Sequence, residues 1–229
     1  MDTESIIFTI GPLAITRPVA TTWAVMLGLT VLCALATRRL KLDPGPFQTL
    51  LEGIVGTIHD AIDDTLPDYG VRLLPFIGTL WIFIAIANLV GVLPGASSPT
   101  GDLSTTAALA ILVFLSVHWF GIRGEGLRAY LAHYVQPSPI MLPFHIISEI
   151  SRTVALAVRL FGNVMSLETA AILVLLVAGF LVPVPVLALH IVEALVQAYI
   201  FGMLALVYIS GGIQSQQTRS SRIQAGVSS

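Results

Sequence analysis

The sequence predicts an all-α membrane protein with about five membrane helices, including a long tilted antiparallel C-terminal hairpin, plus one interfacial amphipathic helix. Three observations carry that reading. Of 229 residues, 55% are apolar and 10% charged, with a mean hydropathy of +0.89, whereas soluble domains carry about a quarter charged residues. Residues 18–37, 73–101, 103–122, 169–192 and 194–218 contain no Asp, Glu, Lys or Arg, and each reaches the roughly 20 residues that cross hydrocarbon as a helix. The positive charges gather in alternate connections: Arg38, Arg39 and Lys41 after the first span, Arg72 before the second, Arg123 and Arg128 after the third, Arg219 and Arg222 in the tail. With all of these cytoplasmic, the N-terminus lies outside and the C-terminus inside, as the positive-inside rule requires of a multi-pass protein of the cell (inner) membrane.

The chain reads as one membrane domain over residues 1–229. Its first span, 18–37, follows no basic n-region and is itself followed by positive charge, so it reads as a retained span rather than a signal peptide. Cys33 is the only cysteine, which excludes an internal disulfide or a cysteine metal site. A net charge of −2 without a basic run gives no indication of nucleic acid.

Residues 46–66 form the amphipathic helix. Phe47, Leu50, Leu51, Ile54, Val55, Ile58, Ile62 and Leu66 repeat at i, i+3, i+4 and i+7. Glu52, Asp60, Asp63 and Asp64 make the other face acidic, which anionic headgroups repel, so the helix is expected to contact protein at the membrane surface. His59 reads as solvated. Residues 73–122 form a two-span hairpin whose turn contains Pro94, Gly95, Pro99 and Gly101, with Asp102 or Ser104 as a cap. Beyond Arg128, Pro137 and Pro139 break the chain, and His133 and Tyr134 suit headgroup level.

Residues 143–215 form the long hairpin. Between Pro143 and Phe180 no proline interrupts a helix of about 55 Å, far more than the roughly 30 Å of hydrocarbon, so it must tilt. Its second arm runs from Val186 to about Ser215. These arms hold Glu149, Arg152, Arg159, Asn163, Glu168, His190, Glu193 and Gln197. A charge at membrane depth costs about 3 kcal/mol or more, and such residues usually mark an ion path or a counter-ion. Arg159 stays protonated even when desolvated, so it offers a fixed charge but relays no proton. Arg159 and Asn163 share a helix face at i, i+4, whereas Glu168 lies half a turn round. A reversal centred near Gly179 sets Glu168 opposite His190 and Arg159 opposite Gln197. That arrangement suits two offset half-channels separated by an arginine.

Several of these residues also have plainer readings. Arg152 can pair with Glu149 at the cytoplasmic surface, Asn88 can serve as helix–helix glue, and His118 with Trp119 can anchor at the interface. Glu193 can simply hydrogen-bond His190. His190 and Glu193 do not make an H-E-x-x-H metal motif, and there is no nucleophile elbow, so no catalytic residue, metal or cofactor is expected.

SRTVALAVRLFGN (151–163) with Glu168, followed by HIVEALVQAYIF (190–201), closely resembles subunit a of F-type ATP synthases, as do ANLVGVLPG (87–95) and PTGDLSTTAALA (99–110). The resemblance, to a compact bacterial-type member, implies a stator subunit without an active site of its own. It implies c-ring subunits, peripheral-stalk b subunits and the lipid bilayer as partners. It also implies that ring carboxylates pass Arg159, with Asn163 and Gln197 as its polar neighbours, Glu168 and His190 as the outer-channel pair, and Glu149 as an inner-channel carboxylate. Leu167 and Thr153 depart from the family pattern, and Glu193 is an additional acid. The competing expectation is a self-contained proton-coupled secondary transporter using Glu168 and His190.

Overall fold

A computed structural model describes residues 6–10, 13–38, 45–67, 69–93, 98–126, 142–178 and 183–227, with side chains over 16–38, 45–67, 69–93, 98–123, 142–177 and 185–211. The expectations for Arg39, Lys41, Arg128, His133, Tyr134, Pro137 and Pro139 fall outside these residues, as do the side chains of Arg219 and Arg222.

The fold is helical, as the hydropathy pattern requires. A short antiparallel pair precedes the helices, β1 (Ile6–Ile10) and β2 (Leu13–Thr16), with Phe8 opposite Ile15 and Ile10 opposite Leu13. This segment carries no span signal, and its isoleucines and threonines favour extended backbone.

Helix α1 (Arg17–Thr37) starts at a proline and buries none of its residues. Thr21, Thr22, Thr30 and Thr37 each donate to the carbonyl four residues back, which satisfies their hydroxyls where hydrocarbon offers no partner. Helix α2 (Pro46–Thr65) is amphipathic. Only the C-terminal half of its apolar stripe, Ile58 and Ile62 with Leu66 beyond, is buried within the chain; Phe47, Leu50, Ile54 and Val55 stay exposed. His59 Nδ1 lies 3.3 Å from Asp63 Oδ2, one turn on, so it has a local acidic partner rather than water alone.

Helix α3 (Gly70–Val90), a 3-10 turn (Pro99–Gly101) and helix α4 (Leu103–Glu125) follow, and Phe76 of α3 meets Phe120 of α4 edge to face, with ring centroids 6.1 Å apart. Asp102 occupies the N-cap of α4, but its carboxylate accepts from Ser104 Oγ rather than capping the helix. Gly126, with φ 88°, ends α4 in a conformation open to glycine. Helices α5 (Leu142–Ala178) and α6 (Pro183–Val227) contain 37 and 45 residues, about 55 and 68 Å long. The second arm thus runs on past the predicted Ser215. Among the described residues, five helices are long and apolar enough to cross a membrane.

The core lies where α6 crosses α3 and α4, with α5 against α4. Leu73, Ile77 and Ile84 of α3, Leu156 and Leu160 of α5, and Phe201, Leu206 and Ile209 of α6 are fully buried. Gly202 lets α6 reach α3: a Cβ there would sit 3.0 Å from Trp81 Cδ2. Trp81 also meets Tyr199, with ring centroids 5.3 Å apart.

Candidate functional site

Two helices supply the predicted residues, Glu149, Arg159, Asn163 and Glu168 from α5 and His190, Glu193 and Gln197 from α6. A 3.6-residue repeat divides them among three faces. Arg159 lies on the outer face of α5 and is exposed. Val154 and Val158 beside it and Val192, Leu195 and Val196 on α6 are exposed too, so the guanidinium stands in an apolar surface. Among the described residues it has no hydrogen bond or ion pair. The apolar helix places Arg159 outward, away from the chain's own core.

Inward of it, Asn163 Nδ2 donates to Gln197 Oε1 at 2.6 Å. Gln197 is 2% exposed. This bond replaces the expected pairing of Arg159 with Gln197. It sets Gln197 opposite Asn163, one helical turn along α5 from Arg159.

His190, also 2% exposed, lines a cavity of about 10 Å³ with Asn88, Asn163, Val164, Leu167, Glu193, Ala194 and Gln197. His190 Nε2 and Gln197 Nε2 are both buried without a partner. A cavity that size suits one water, and a water needs polar partners such as these.

Glu168 faces elsewhere, as its half-turn offset from Arg159 dictates. Its Oε1 accepts from the Ser98 backbone N–H at 3.1 Å, on the segment joining α3 to α4. The expected Glu168–His190 pair is thus separated into a carboxylate on the 98–101 turn and an imidazole in the cavity. A buried chain runs between these two environments. Ser98 Oγ donates to Ala87 O at 2.9 Å and lies 2.7 Å from Thr100 Oγ1, which in turn donates to Asn88 Oδ1 at 2.5 Å. Asn88 Nδ2 reaches Ala194 O of α6 at 3.4 Å. Asn88 is therefore glue between α3 and α6 and also part of the cavity wall.

Glu149 and Glu193 are half-buried. Arg152 lies with its Cζ 4.6 Å from the centre of the Tyr208 ring, and among the described residues it forms no ion pair with Glu149. Among these residues no cluster of three metal-binding side chains occurs. Sequence reasoning missed Ser98, Thr100, Gly91 and Gly101. For Ser98, Thr100 and Gly101 the signal was a run of small residues, SSPTG (97–101), which reads first as ordinary turn chemistry, and Gly91 at the end of α3 reads as a helix stop.

The sequence model of the family described as "ATP synthase A chain" matches residues 19–210. The chain is 62% identical to "ATP synthase subunit a 2" of Pelobacter propionicus over 221 residues, covering 96% of this chain and 97% of that protein. It is 61% identical to "ATP synthase subunit a 1" of Hahella chejuensis, covering 95% and 94%. It is 58% identical to "ATP synthase subunit a" of Legionella pneumophila strain Paris, covering 93% of each.

Proposed function

Since the chain belongs to the ATP synthase A chain family, we propose that it is the non-catalytic stator subunit in the membrane sector of a rotary F-type ATP synthase. It provides two ion half-channels against a ring of c subunits, with peripheral-stalk b subunits holding it still, in the cell (inner) membrane. Its N-terminus is outside and its C-terminus cytoplasmic.

The observation that carries this reading is Arg159: a permanent cation, without an ion pair among the described residues, on an exposed face of a helix long and apolar enough to cross a membrane. Hydrocarbon is a poor neighbour for such a charge, whereas an ionised carboxylate on a moving partner would stabilise it there. Arg159 also bars a direct leak, because a proton would have to pass a fixed positive charge. Glu168, His190 and Glu193 bind and release ions on the outer path, and Glu149 does so on the inner one. Asn163 and Gln197 hold the arms together beside the arginine.

A self-contained transporter has less support. Small-molecule sites occupy about 300–1,000 Å³, whereas the cavity among the polar residues is about 10 Å³. Purification from the native membrane distinguishes the two readings. The stator should co-purify with a ring of small two-helix subunits and drive no substrate uptake alone in liposomes. Uptake by the isolated chain would overturn the assignment.

A further inference from the structure

The surroundings of Glu168 are built to its size. Its Oε1 takes the Ser98 N–H at 3.1 Å. A Cβ at Gly91 would lie 3.2 Å from the same Oε1, and a Cβ at Gly101 would lie 3.2 Å from Oε2. Two glycines thus face the two carboxylate oxygens, and a backbone donor fixes one of them. The segment presenting the donor is itself held: Ser98 and Thr100 are 3% and 0% exposed, and their hydroxyls bond to Ala87 O and Asn88 Oδ1.

We infer that Gly91, Ser98 and Gly101 form a fitted cradle that positions the Glu168 carboxylate, and that the absence of a side chain at Gly101 sets how freely ions pass it. The inference rests on the reading of Glu168 as an outer half-channel residue. Ser98, Gly91 and Gly101 are positioning residues; none exchanges an ion itself. A carboxylate resting on a rigid turn has one preferred orientation, and the glycines keep its two oxygens uncovered. A methyl group at either glycine would push the carboxylate off its donor by a few tenths of an ångström.

Gly101 is the cleaner probe. The three nearest atoms to a Cβ there, Oε2 at 3.2 Å and Cδ and Oε1 at 3.6 Å, all belong to Glu168. At Gly91 the added carbon would also meet Ser98 Cβ at 2.9 Å, which would disturb the turn itself.

The test is the rate of ion-driven ATP synthesis by the complete complex in liposomes, corrected for the amount of assembled subunit. The variants are Gly101→Ala, Glu168→Ala, Glu168→Asp and the double Gly101→Ala/Glu168→Asp. Misplacing a positioned group by up to 1 Å can cost as much as about 100-fold, so for a smaller shift Gly101→Ala should slow synthesis about threefold to tenfold. The double variant should run faster than Gly101→Ala, because the shorter acid withdraws from the methyl. A methyl clash with any other part of the turn would show no such rescue. If Gly101→Ala fails to assemble, restored assembly in the double variant identifies the same contact, and continued failure refutes it. A Gly101→Ala complex as fast as the parent while Glu168→Ala is slow would overturn the cradle and leave the half-channel reading standing. A Glu168→Ala complex as fast as the parent would remove Glu168 from the path, and the cradle's purpose with it.

Discussion

Asn163 Nδ2 donates to Gln197 Oε1 at 2.6 Å, joining α5 to α6 one helical turn from Arg159. The bond matters because Arg159 itself has no hydrogen bond or ion pair among the described residues. Its position is inherited from the backbone of α5, and that backbone is tied to α6 at the adjacent turn. Hydrogen bonds between membrane helices contribute about 0.6 kcal/mol on average and up to about 1.7 kcal/mol. A double-mutant cycle with Asn163→Ala and Gln197→Ala, read by unfolding in detergent or bicelles, should give a coupling in that range. Strictly additive effects would show that the bond does not hold the arms together.

The separation of Glu168 from His190 has a kinetic consequence. Glu168→Gln and His190→Ala should each slow passive ion conduction through the membrane sector while the complex still assembles. Because the two groups occupy different environments, either substitution should be harmful in the presence of the other's native residue. Conduction at the parent rate, measured by quenching of a pH-sensitive dye in vesicles, would take the substituted residue out of the path.

Arg152 and Arg159 share a helix and a charge but not a task. Arg152 rests over Tyr208, and a cation–π contact of this kind contributes about 0.5–1 kcal/mol at exposed sites, more when desolvated. Arg152→Ala should lower stability by about that much and leave ATP synthesis within about twofold of the parent, since 0.4 kcal/mol corresponds to a factor of two. Loss of synthesis in an assembled Arg152→Ala complex would place it on the ion path instead.

Close approach of α6 to α3 depends on Gly202. A Cβ there lies 3.0 to 3.3 Å from three atoms of the Trp81 indole, and overpacking of this kind costs about 1–3 kcal/mol. Gly202→Ala should reduce the yield of folded subunit, and Trp81→Leu in the same chain should restore part of it. An unaffected yield would show that α6 has slack against α3.

Much of this architecture was legible in the sequence, for identifiable reasons. Charge-free runs of about 20 residues define spans because each buried charge is expensive, and α1, α3 and α4 follow them closely. Prolines at 18 and 46 fall in the first turn of α1 and α2, where their missing N–H costs nothing. Arg159, Asn163, His190 and Gln197 stood out because polar groups are rare in such helices. The β1–β2 pair was missed because a short polar–apolar stretch before a long span carries little periodicity. The cross-hairpin pairing of Gln197 differs by about one helical turn from the expected one, because register depends on where the chain reverses and composition does not mark that point. The cradle of Glu168 was invisible for a different cause. It is made of a backbone N–H and two glycines, and nothing in the sequence says that they meet residue 168.

In the proposed stator, Arg159 is a fixed charge facing a moving ring rather than a structural arginine. The decisive measurement is ion-driven ATP synthesis by the reconstituted whole complex carrying Arg159→Ala, with assembly checked by recovery of the ring. The expected result is an assembled complex with no detectable synthesis, and synthesis near the parent rate would make Arg159 a structural residue.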